Sequence, residues 1–79
     1  MTNTMNTNNN LGGKYYVFAW GWQGASYDEL MAQVQQAKTD EVFDNYEDAK
    51  NMVNYLWETE LAPDEICYLV HPDGHYEEL

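Results

Sequence analysis

Arginine is absent from this 79-residue chain, and lysine occurs three times against fourteen aspartates and glutamates. The net charge is −11. Affinity for nucleic acid comes mainly from neutralising phosphates, so this balance excludes direct nucleic-acid binding. The same sign excludes docking on an anionic membrane surface. Cysteine occurs once, at Cys67, which leaves no internal disulfide and nothing that points to an oxidising compartment. The longest unbroken apolar run is Tyr15 to Trp20, far short of the roughly 20 residues of a membrane-spanning helix. Phosphate-cradling glycine loops and nucleophile elbows are missing too. These absences predict a cytoplasmic protein that is not an enzyme and needs no cofactor.

The first ten residues, "MTNTMNTNNN", offer two methionines and no other apolar side chain. Such a stretch cannot bury enough surface to offset its ordering entropy, so residues 1–10 are predicted to form a disordered tail. It also lacks the basic start and apolar stretch of a signal peptide. Residues 11–79 are then a single compact domain. Three tryptophans, seven tyrosines and two phenylalanines supply it with large side chains to bury.

"KYYVFAWGW" is rich in aromatic and β-branched residues on both parities and predicts a first strand. Gly21 and Gly24 then bracket a loop. Ser26 and Glu29 have the spacing of a capping box, and Tyr27, Leu30, Met31, Val34 and Ala37 form one apolar stripe behind it. Together they predict a helix from about Tyr27 to Lys38, with Lys38 at its negative end. Residues 41–44 suit a short strand. Asn45 or Asp44 caps a second helix whose stripe is Tyr46, Ala49, Met52, Val53 and Leu56, ended by Leu61, Ala62 and Pro63. "EICYLVH" is apolar on both parities and predicts a central strand. Pro72-Asp73-Gly74 is a turn, and "HYEEL" pairs back as an edge strand. The expected fold is α+β in class: a small, mainly antiparallel sheet in the order β-α-β-α-β-β, with two helices on one face.

His71 and His75 flank the turn, and a hairpin there sets them side by side near Asp73 and Glu77. That collection falls short of a tetrahedral four-ligand zinc site, so no metal is predicted. Cys67, on a central apolar strand, reads as a small core hydrophobe.

The distinctive feature is the placement of the acids. Between Asp40 and Glu65 there are nine acids and one lysine. On the second helix Glu47, Asn51, Asn54 and Glu58 fall on one outward line, and Glu47 and Glu58 lie roughly 16 Å apart along the axis. Glu47 and Asp48 suit a first helical turn, where the dipole favours anions. Asp40 and Glu41 have no such local role. A row of carboxylates of this kind imitates a few successive phosphates of a duplex. Trp22, in the glycine loop, has no obvious burial partner and is the better interface candidate among the aromatics.

On "DEVFDNYEDAKNMV" and "ETELAPDE", within a short acidic α/β chain with a polar tail, the sequence resembles the small phage anti-CRISPR proteins that act as DNA mimics. The resemblance covers the whole chain as a type and carries no diagnostic motif. It implies binding to the basic DNA-recognition surface of a CRISPR effector, such as the subunit that reads the protospacer-adjacent motif, by occlusion and without chemistry. The partner-facing residues are then Asp40, Glu41, Asp44, Glu47, Asp48, Glu58, Glu60 and Asp64, with Trp22 and Tyr55 as anchors. The other reading is a regulatory interaction module, monomeric or homodimeric, whose acidity serves solubility.

Overall fold

A computed structural model of the chain describes residues 12–79; the predicted tail lies outside the described residues. The elements are β1 (Tyr15–Trp20), α1 (Tyr27–Gln35), a 3-10 turn (Thr39–Glu41), β2 (Val42–Phe43), α2 (Tyr46–Thr59), β3 (Ile66–Val70) and β4 (Tyr76–Glu78). The strands form one antiparallel sheet in the spatial order β2-β1-β3-β4. The α+β class and the β-α-β-α-β-β order hold.

The placement of the helices is corrected. Along β1 and β3, Val17, Cys67 and Leu69 point to one side and pack with Ala49 and Val53 of α2. Phe18, Tyr68 and Val70 point to the other side and pack with Leu30 of α1. The two helices therefore cover opposite faces. The physical reason is the two-sided apolar character of β1 and β3: side chains alternate across a sheet, so strands apolar on both parities need cover on both faces.

Local signals set most element ends. Ser26 Oγ accepts from the Glu29 N–H at 3.1 Å, and the Glu29 carboxylate accepts from the Ser26 N–H at 2.8 Å. Asn45 caps α2 by accepting from the Asp48 N–H at 2.8 Å. At the turn between β3 and β4, Gly74 donates to the His71 carbonyl at 2.9 Å with φ 96°, the left-handed conformation glycine adopts without strain. Two boundaries differ from expectation. Helix α1 stops at Gln35, because the Gln36 N–H reaches back to the Gln33 carbonyl and the Ala37 N–H to that of Val34, three residues rather than four. Lys38 thus lies outside the helix, and its N–H donates to the Glu41 carboxylate at 3.0 Å to open the 3-10 turn. That turn takes up residue 41, which leaves β2 with two residues.

The loop after β1 is tied to the sheet through Tyr68, whose buried hydroxyl accepts from the Ala25 N–H at 2.9 Å. Gly24 (φ 75°) passes so close that a Cβ there would lie 2.9 Å from the Tyr68 oxygen. Substitution Gly24→Ala combines a left-handed backbone with displacement of a buried hydrogen-bonded hydroxyl, and is expected to cost about 2–3 kcal/mol. Chemical denaturation checks this; a loss within experimental error of zero would contradict the contact.

Candidate functional site

The acidic surface is built on α2 and the 3-10 turn. Burial of Ala49 and Val53 against the sheet turns Glu47, Asn51, Asn54 and Glu58 to solvent, so the predicted outward line is exposed along its length. Beside it, between the C-terminal half of α2 and the 3-10 turn, a groove of about 410 Å³ opens over the sheet. Val17, Ala19, Met52 and Leu56 form its floor, and Asp40, Glu41, Tyr55 and Glu60 stand at its rim. Four of the ten predicted partner-facing residues thus meet around one depression. Tyr55 is 53% exposed there.

The other six are distributed elsewhere. Asp44, Glu47 and Asp48 lie at the beginning of α2, Glu58 lies in its last turn, and Asp64 follows in the loop to β3. Trp22 is 69% exposed, the most of any large hydrophobic residue described, and borders a separate cleft with Trp20, Gly24 and Glu29.

Hydrogen bonding divides the nine acids of this region into two groups. Asp44 forms an ion pair with Lys14, which holds the Asp44 carboxyl below the usual carboxylate range, chiefly through the hydrogen bond. Asp48 accepts from the Asn45 side chain at 3.2 Å, and Glu65 accepts from the Ala62 N–H at 2.7 Å. Glu41 opens the 3-10 turn, a local role that its sequence context does not announce. The side chains of Asp40, Glu47, Glu58, Glu60 and Asp64 make no hydrogen bond or ion pair with any described residue. These five are the surplus charge.

At the opposite end of the sheet, His71 and His75 do lie side by side, their rings stacked at 3.9 Å between centroids. His71 Nε2 sits 2.6 Å from the Glu77 carboxylate and His75 Nδ1 sits 2.5 Å from that of Asp73. Among the described residues, no group of three or more His, Cys, Asp or Glu side chains is arranged to hold a metal ion. Cys67 is fully buried, and burial pushes its thiol up to about 11, so its thiolate is scarce at neutral pH.

The histidine contacts have a consequence for acid stability. The hydrogen bond from His71 holds the Glu77 carboxyl below its ordinary value of 4.5, and that from the His75 N–H holds Asp73 below 3.8. A carboxyl with a depressed folded-state pKa contributes stability above its unfolded value and loses it as pH falls through the folded one. Stability is therefore expected to decline below about pH 4.5, the usual glutamate range. In Glu77→Gln, the decline should be shallower by less than about 1 kcal/mol, since the pair is partly solvent-screened. Thermal unfolding followed from pH 6 to 2 measures the difference; identical curves would contradict the role of Glu77.

The groove floor is not marked in the sequence, where Val17, Met52 and Leu56 are ordinary core positions. Its one local signal is Ala19, the only small side chain in an otherwise bulky strand. Comparison of the chain with protein-family models, with curated proteins and with solved structures finds no match.

Proposed function

We propose that this protein is a non-catalytic acidic inhibitor that binds the cationic DNA-recognition surface of a partner complex and excludes duplex DNA from it. The observation that carries the reading is the set of five carboxylates on α2 and its flanks without a partner in the described fold. Each is exposed and has no neutralising partner among the described residues, and like charges on one helix cost stability. A cationic partner relieves that repulsion, and the field of the acidic side steers the encounter. The resemblance to anti-CRISPR DNA mimics narrows the partner to a CRISPR effector, with lysines and arginines of its DNA channel facing Glu47, Glu58 and the groove rim. Trp22 and Tyr55 supply apolar contact within the charged surface.

The test is displacement of a fluorescent duplex from a panel of purified DNA-targeting effector complexes. Release from at least one is expected, weakening steeply as salt is raised across the physiological range. Release from none would overturn the anti-CRISPR reading. Release that is indifferent to salt would overturn the electrostatic mechanism.

A further inference from the structure

The pairing of β1 is lopsided. With β3 it continues from Tyr16 to Trp20, while with β2 it covers only Tyr15 and Tyr16. Beyond Tyr16 the chain on the β2 side leaves the ladder and coils into the 3-10 turn. In an antiparallel ladder successive residues turn their N–H and C=O alternately to the two neighbours. Two bonds fix the phase here. Leu79 donates to the Cys67 carbonyl at 2.8 Å and His71 donates to the His75 carbonyl at 2.8 Å, so the odd-numbered residues of β3 face β4. Ala19, which lies opposite Cys67, therefore turns its backbone N–H and C=O away from β3, toward the side where β2 has already ended. Ala19 is exposed, and no described strand lies opposite it there.

This open edge lies between two depressions. On the α2 side is the groove with Asp40, Tyr55 and Glu60 at its rim. On the α1 side, Phe18, Trp20 and Gln33 line a second cleft of about 310 Å³, and Ala19 and Glu41 border both. An extended peptide laid along such an edge sends alternate side chains to the two sides of the sheet.

We infer that the β1 edge at Ala19 accepts a short extended, cationic segment of the partner by strand addition. A lysine or arginine of that segment enters the α2-side groove, and the neighbouring residue enters the cleft lined by Phe18 and Trp20. Charge complementarity selects this occupant. The apolar floor suits the aliphatic stem of such a side chain, and the rim carboxylates of Asp40 and Glu60, which have no partner in the described fold, suit its head. A second copy of the chain, itself at −11, brings like charge to the same rim. The inference rests on the reading of the protein as a binder of cationic partners, and adds the edge and the backbone pairing.

The probe is a fluorescent peptide of alternating arginine and valine, measured against the full chain by anisotropy. Two versions carry N-methyl groups on alternate residues, one set on each edge of the peptide. Strand addition predicts that one methylated version binds at least roughly tenfold more weakly while the other matches the parent, a difference of about 1.4 kcal/mol. The Ala19 amide is also expected to gain hydrogen-exchange protection with the parent peptide. The variant Ala19→Pro removes the edge donor and should lose the parent peptide; if it fails to fold, the methylated pair still decides. Equal binding of all three peptides, or no binding of the parent, overturns the inference. Protection of Ala19 without peptide, rising with protein concentration, overturns it in favour of a second copy. Duplex displacement retained in a folded Ala19→Pro overturns the inference alone and leaves the proposed function standing.

Discussion

The variant Asp40→Asn/Glu47→Gln/Glu58→Gln/Glu60→Gln is expected to fold normally and, on the proposed function, to fail to displace duplex DNA. Exposed charge pairs of good geometry contribute about 0.5–1 kcal/mol each, so four of them amount to about 2–4 kcal/mol. That corresponds to a loss of roughly 30- to 1,000-fold in competition. The fold should be unharmed because none of the four side chains makes a hydrogen bond or ion pair with a described residue. Removing Glu58 and Glu60 at the C-terminal end of α2, where the helix dipole disfavours anions, should offset the loss of Glu47 from its first turn and leave the melting temperature little changed. The choice of residues matters. A variant built on Asp44 and Asp48 would remove the partner of Lys14 and a first-turn acid bonded to the Asn45 cap. Any loss of inhibition would then be mixed with loss of stability. Displacement assays and thermal melts on the two sets separate these effects. Full displacement by the fourfold variant would show that the surplus carboxylates serve solubility alone.

The variant Leu30→Ala is expected to have the largest effect on stability, about 2–5 kcal/mol. Leu30 is the only fully buried residue of α1, where it packs with Phe18, Tyr68 and Val70. A helix of nine residues is too short to persist in water on its own, so its attachment to the sheet is what keeps it formed. A domain of this size has only a few kcal/mol of total stability to lose. Truncation at Leu30 should therefore release α1 and expose the face of the sheet that carries Phe18 and Tyr68. Amide exchange of residues 27–35 and the melting temperature report the outcome. Retention of slow exchange across α1 would mean that Met31, Val34 and the Ser26–Glu29 capping box suffice to hold the helix.

The Ser26–Glu29 box, the Asn45 cap and the Pro72-Asp73-Gly74 turn were all legible in the sequence, because each is a bond between residues two to four positions apart. The same holds for the apolar stripe of α2 and for the exposure of Glu47 and Glu58, which follow from helical periodicity. The pairing of His71 with His75 was legible from the length of one hairpin. Asp40 and Glu41 looked alike in sequence, yet one carboxylate is free of partners in the described fold and the other opens a turn, a difference made by where α1 ended.

The sequence by itself determined the elements, their order, and a surplus of negative charge concentrated after Asp40, since these depend on local hydrogen bonds, periodicity and counting. Only the tertiary structure decided that the helices cover opposite faces, and that β2 ends early enough to leave Ala19 at an open edge. It also decided which carboxylates are already engaged. Those outcomes depend on contacts between residues distant in the chain, where strand length, helix docking and side-chain pairing are settled jointly by what packs against what.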